Sequence, residues 1–144
     1  GVSVFTDFES HLATVAEVQV RPDGEVVLRR IVCALDCGQV VNVDSVRAQI
    51  EGGVVYGLSP VLFPSITIRD GRVQEGNFDT CRVVRLPETP PIEVHVVPSH
   101  EAPGGVGEPG TAGVAPAILN AIYAATGVRL RRLPVEAAAL RLQA

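Results

Sequence analysis

From Leu12 to Val20 apolar and polar positions alternate, with Leu12, Thr14, Ala16, Val18 and Val20 on one face. That is the period of a half-buried strand. Asp23-Gly24 then supplies a tight-turn signal, and Glu25 to Asp36 predicts the returning strand. A turn this short forces the two strands to pair antiparallel. Past it the period changes. Val46, Ile50, Val54, Leu58 and Leu62 recur every four residues, the stripe of a helix, with Asn42 or Asp44 as its N-cap. Gly52, Gly53 and Gly57 interrupt that helix, each at a cost of about 1 kcal/mol against alanine. Gly53 and Gly57 share a face, so another backbone or a large ligand can approach there; tight helix–sheet packing is the commoner ground.

Further along, SITIRDGRVQEGNF predicts a second hairpin around Asp70-Gly71. A strand near Arg82 to Arg85 and another over residues 92–99 extend the sheet, with PETPP as the loop between them. Val114, Ala117, Ile118, Ala121, Ile122 and Ala125 form the buried stripe of a second helix, and Gly127 marks its end. Pro134 can open a short final helix through Ala137 to Leu140. Hairpins dominate and strands do not alternate regularly with helices. The fold class expected is therefore α+β, a mixed or antiparallel sheet with packed helices, as a single segment spanning residues 1–144.

Composition narrows the function. Of 144 residues, 47% are hydrophobic, enough for a core. The net charge is −4, and the basic residues are scattered arginines, with one small cluster at Arg129, Arg131 and Arg132. That disfavours nucleic acid as a partner, which needs a clustered basic face. Cys33, Cys37 and Cys81 lack metal-site spacing. Cys33 and Cys37 fall on one strand face about 13 Å apart, too far for a disulfide, and read as reduced core thiols. The absence of methionine raises the expectation that the chain is a piece of a longer one. The compartment is left open.

The candidate chemistry lies between Ala102 and Gly113, where five glycines and two prolines fall in twelve residues. Such a loop exposes backbone N–H groups and lets a ligand come close, and the helix behind it adds unpaired donors. It has neither the Walker nor the dinucleotide-binding spacing. Its single carboxylate, Glu108, reads either as an exposed loop acid or as a general base, the latter requiring a dry pocket. Gln49 reads either as a surface glutamine or as an amide that donates to and accepts from a ligand. His11, His95 and His100 have no metal-binding spacing.

Three stretches in series carry a resemblance. DCGQVVNVDSVRAQIEGGVVYGLS, GGVGEPGTAGVAPAILNAI and ATGVRLRRLP resemble, in order and spacing, the C-terminal part of the molybdopterin-binding large subunit of the molybdenum hydroxylase (xanthine oxidase) family, of the isoquinoline 1-oxidoreductase beta-subunit type. The resemblance covers about Leu12 to Pro134. It departs at Val43, where the family usually has proline, and at Asp79 and Cys81, where it often has other residues. In that family a molybdenum ion held by a pterin dithiolene works with a glutamate of the G-E-P loop, which takes a proton so that oxygen can attack an electron-poor carbon. The resemblance therefore implies an oxidoreductase acting on an N-heterocycle or aldehyde, with Glu108 as general base. It implies Gln49 and the backbone of Gly105, Val106 and Gly107 as contacts of molybdopterin, in its cytosine dinucleotide form. It further implies [2Fe-2S] clusters on an iron–sulfur subunit or domain, an upstream molybdopterin-binding domain of the same subunit, and no activity for this segment alone. The other reading of the same loop is a non-catalytic nucleotide- or anion-binding module, or a docking module.

Overall fold

A computed structural model describes residues 1–63 and 66–141. Four strands form the main sheet: β1 (Val2–Asp7), β2 (Ser10–Val20), β3 (Val26–Asp36) and, in the second half, β6 (Ile92–Val96), in the order β1-β2-β3-β6. The hairpin expected around Asp23-Gly24 is β2–β3, antiparallel, with a register shift between Glu17 and Val18. β3 and β6 run parallel, so the sheet is mixed. Parallel neighbours need a long crossover, and helix α1 (Val43–Leu62) lies within it. Asn42 caps α1, its side chain accepting from the Ser45 N–H. Helix α2 (Pro109–Thr126) follows β6 and stops at Gly127, which takes the left-handed φ of 74°.

Both helices lie on one face of the sheet. Leu12, Thr14 and Ala16 from β2 and Ile31, Cys33 and Leu35 from β3 meet Ile50, Val54 and Leu58 of α1 and Val114, Ala117, Ile118 and Ile122 of α2. Each large aliphatic side chain buried here contributes about 1.5–3 kcal/mol. The opposite face is open: Val2 pairs with Val15 and Val4 with Ala13, and Val2, Val4 and Val15 are exposed.

Several expectations are corrected. Residues 82–85 form no strand; instead the Val84 N–H donates to Ser59 Oγ at 3.0 Å, and one 3-10 turn follows at Leu86–Glu88. With no strand within pairing reach, two adjacent valines do not suffice. The second hairpin shrinks to two-residue strands, β4 (Ile68–Arg69) and β5 (Arg72–Val73), outside the main sheet; Ser65 at its start lies outside the described residues. The strand of 92–99 ends at Val96. The final helix is a single 3-10 turn, Ala137–Ala139, after which Leu140 is buried in the core. Gly53 and Gly57 pack on a helix rather than the sheet, while Gly52 meets nothing within 4 Å: a Cβ on Gly57 would lie 2.6 Å from Val114 Cγ1 and 2.7 Å from the Thr111 carbonyl oxygen. Thr111 Oγ1 adds a hydrogen bond to the Gly53 carbonyl at 3.0 Å.

Candidate functional site

The glycine-rich loop is held from beneath at three points. The Gln39 N–H donates to the Glu101 carbonyl at 3.0 Å, Gly104 N–H to the Cys37 carbonyl at 2.9 Å, and Gly105 N–H to the Phe8 carbonyl at 2.7 Å. The first two partners follow β3. The third belongs to the two-residue turn joining β1 to β2, where Phe8 and Glu9 both have positive φ, 49° and 61°. That is the backbone of a type I′ turn, which costs side-chain-bearing residues about 1–2 kcal/mol each. The Asp7 carboxylate stabilises it by accepting from the Phe8 N–H at 2.9 Å.

The loop glycines divide by what surrounds them. A Cβ on Gly104 would lie 2.6 Å from the Glu9 carbonyl oxygen and 2.5 Å from Ser10 Oγ, and one on Gly105 would lie 2.7 Å from Phe8 Cβ. Gly107 has nothing within 4 Å. Between them Val106 packs against the core. Ser10 Oγ, beneath Gly104, is buried with no hydrogen-bond partner among the described residues.

Glu108 occupies the N-cap of α2. Its backbone carbonyl accepts from the Thr111 and Ala112 N–H groups at 2.9 and 3.2 Å, while its side chain makes no capping bond and is exposed. The dry pocket required of a base is therefore not formed by the described residues of this chain. Gln49 is also exposed, one residue before the fully buried Ile50. A Cβ on Gly110 would lie 2.6 Å from the Ile50 carbonyl oxygen, and one on Gly53 would lie 3.2 Å from the Thr111 nitrogen. The glycines thus draw the start of α2 onto α1, and Gln49 and Glu108 flank the same helix crossing. Gly53 and Gly57 on one face signalled a close backbone approach without naming its partner, whereas the part played by Phe8 and Glu9 left no signal in the sequence: the turn has no Gly, Asn or Asp at its two central positions.

Other titratable groups stand apart. His11 Nδ1 lies 3.0 Å from Thr6 Oγ1, and His95 Nε2 lies 3.9 Å from Glu93. Burial pushes the Cys33 thiol up, opposed by its contact with Thr14. Burial, aided by the charge of Asp36, also pushes Cys37 up. Two open surface grooves lie elsewhere, one along Val26 to Arg29 and Pro87 to Pro91, the other along Gly38 to Val40 and Val96 to His100. Neither is lined by Glu108 or Gln49.

A pterin-held metal fits this arrangement. The open space at Gly107 lets a bulky group approach the backbone, next to a carboxylate with no capping bond. Among the described residues no group of three His, Cys, Asp or Glu side chains could hold a metal ion. No described helix is long and apolar enough to cross a membrane.

Comparison with known proteins gives a consistent result. The family model for the molybdopterin cofactor-binding domain matches residues 4–90, a stretch that includes Gln49 but not Glu108. The chain is 44% identical over 125 residues to the membrane-bound aldehyde dehydrogenase [pyrroloquinoline-quinone] of Gluconacetobacter polyoxogenes, covering 86% of this chain and 16% of that protein. It is 36% identical over 135 residues to isoquinoline 1-oxidoreductase subunit beta of Brevundimonas diminuta, covering 93% of this chain and 17% of that protein. The crystal structure of the aldehyde oxidoreductase from Desulfovibrio desulfuricans ATCC 27774 superimposes with a TM-score of 0.75 at 29% identity, over 92% of this chain and 15% of that one. The chain thus spans about one-sixth of the length of these relatives.

Proposed function

We propose, starting from a chain that belongs to the molybdopterin cofactor-binding domain family, that it supplies one wall of the active site of a molybdenum-dependent oxidoreductase, with Glu108 as general base. The observation that supports the reading is the helix crossing at Ile50–Gly53 and Gly110–Thr111, which the exposed Gln49 and Glu108 precede by one and two residues on their own helices, with the open Gly107 next to Glu108. When bound, molybdopterin with its molybdenum supplies the two-electron redox chemistry for oxidising an N-heterocycle or aldehyde with oxygen from water. This chain's residues do the rest of the work on their side. The Gly107 backbone admits the cofactor at close range, and the N-terminal donors of α2 favour negative charge there. The Gln49 amide both donates and accepts, orienting a polar edge. Glu108, free of a capping bond, has its carboxylate available to take a proton.

The exposed carboxylate becomes a water-excluded base only when the rest of the subunit covers it. The open sheet face with Val2, Val4 and Val15, opposite the helices, supports a further contact with the rest of the subunit, since apolar side chains gathered on one face mark a contact surface; the cover over Glu108 lies on the helix side. In this reading residues 1–144 are a C-terminal segment of the large subunit, inactive alone. An upstream domain completes the cofactor cradle, and an iron–sulfur subunit with [2Fe-2S] clusters takes the electrons. The cytosine dinucleotide form is the cofactor proposed.

The test is metal and nucleotide analysis of the complete subunit purified with its partners from a host that makes molybdopterin. The reading expects about one molybdenum per subunit and release of a cytosine nucleotide on acid treatment. A metal-free protein that holds a nucleotide tightly would replace the reading with an anion-binding module. A metal-free protein holding a quinone would favour the cofactor that the relative from Gluconacetobacter polyoxogenes carries in its name.

A further inference from the structure

Gly104 and Gly105 are both crowded by this chain itself. Gly105 donates its N–H to the Phe8 carbonyl at 2.7 Å, and its missing side chain leaves room for Phe8 Cβ and Cγ, 2.7 and 3.3 Å from where a Cβ would stand. Gly104 is blocked by the backbone of Glu9 and by Ser10 Oγ instead. The Phe8 carbonyl reaches Gly105 because Phe8 and Glu9 hold positive φ in the turn between β1 and β2. Two residues, Val106 and Gly107, separate Gly105 from Glu108, and Glu108 is in turn the first fixed point of α2 through Thr111 and Ala112.

We infer that the Phe8–Glu9 turn is the seat that sets the height of the Glu108 loop, with Phe8 as its positioning residue. The inference rests on the reading of Glu108 as base. It assigns the glycine at position 105 to clearance from Phe8, leaving Gly107 as the position open to a ligand. A Cβ on Gly105, 2.7 Å from Phe8 Cβ, must retreat by about 1 Å to reach ordinary contact, and misplacement of that size passed on to the carboxylate can cost about 10²-fold in rate.

The complete subunit with its partners provides the test, as a set of Gly105→Ala, Phe8→Gly, the double variant, and Gly104→Ala with and without Phe8→Gly. Each is read by kcat, KM, molybdenum per protein and thermal midpoint. Gly105→Ala is expected to lower kcat by about 10- to 100-fold with little change in KM. Phe8→Gly removes the opposing atoms, and glycine keeps the positive φ without strain, so the double variant is expected within about threefold of Phe8→Gly alone. Gly104→Ala meets backbone, and Phe8→Gly is expected not to rescue it. A double variant no better than Gly105→Ala overturns the inference, because the glycine would then be answering to something other than Phe8. If Gly105→Ala yields no folded protein, recovery of soluble, molybdenum-loaded protein by Phe8→Gly supports the seat, and no recovery contradicts it. The base reading fails separately. Normal turnover in Glu108→Gln removes it while leaving rescue of thermal midpoint and molybdenum content to decide the seat.

Discussion

Glycine does opposite things at two places in this molecule. At the crossing of α1 and α2, Gly53, Gly57 and Gly110 are filled to contact by the facing helix. In the loop before α2, Gly107 faces nothing within 4 Å. The first set serves the fold, and its cost in helix propensity is offset by the close approach it permits. The second keeps its freedom without using it inside this chain. Gly107 shares that openness with Gly52, Gly71, Gly76 and Gly127; what sets it apart is its place next to Glu108 at the start of α2, where a ligand would meet unpaired N–H donors.

The largest effect on that comparison is expected at the crossing. Gly57→Leu would drive a side chain into Val114 and the Thr111 backbone, and should destabilise the chain by about 3 kcal/mol or more, helix propensity notwithstanding. A thermal unfolding midpoint unchanged in that variant would mean the helices are not in contact there. Ile118→Ala, buried under the same pair of helices, should cost about 2–5 kcal/mol in the same assay. Gly107→Ala is the counterpart, expected within about 0.5 kcal/mol of the parent in stability but with reduced molybdenum content in the complete subunit. If instead it destabilises the chain and leaves the metal content whole, the two sets of glycines are alike after all.

A smaller effect concerns pH. Cys33 is buried in the sheet and its thiol is raised above the ordinary value. The folded state keeps the proton in a range where the unfolded chain has begun to lose it. Stability from this group is therefore fully present below the ordinary thiol range and falls as pH rises through it. Melting between about pH 8 and 10 should decline with pH less steeply in Cys33→Ala than in the parent. Cys81, half-buried in the thinly structured stretch before β6, should be alkylated well before Cys33 and Cys37, which are both buried. The smallest effect is at Arg30, whose ion pairs with Glu17 and Glu93 at 2.8 and 3.2 Å are exposed; Glu93→Ala should shift stability by under about 1 kcal/mol.

Local pattern made β2, β3 and both helices legible, because alternation, four-residue spacing, Asn42 and Gly127 act within a few residues of themselves. β1 was not, since its turn uses Phe8 and Glu9 at positive φ, where residues without a turn signature are held by long-range contacts. The parallel pairing of β3 with β6 depends on contacts across more than fifty residues, and the valines at 83 and 84 suggested a strand that has no partner. Glu108 and Gln49 could be named from motif resemblance. That they flank one crossing depends on the fit of Gly53 to Thr111 and of Gly110 to Ile50, which no periodicity encodes.

The central claim is that Glu108 takes a proton in an oxidation carried out with a molybdenum cofactor. Its most direct measurement is single-turnover reduction by substrate of the Glu108→Gln variant of the complete subunit, at molybdenum content matched to the parent. The account predicts loss of at least about 10²- to 10⁴-fold in the rate, with the cofactor retained. Reduction at the parental rate would contradict it.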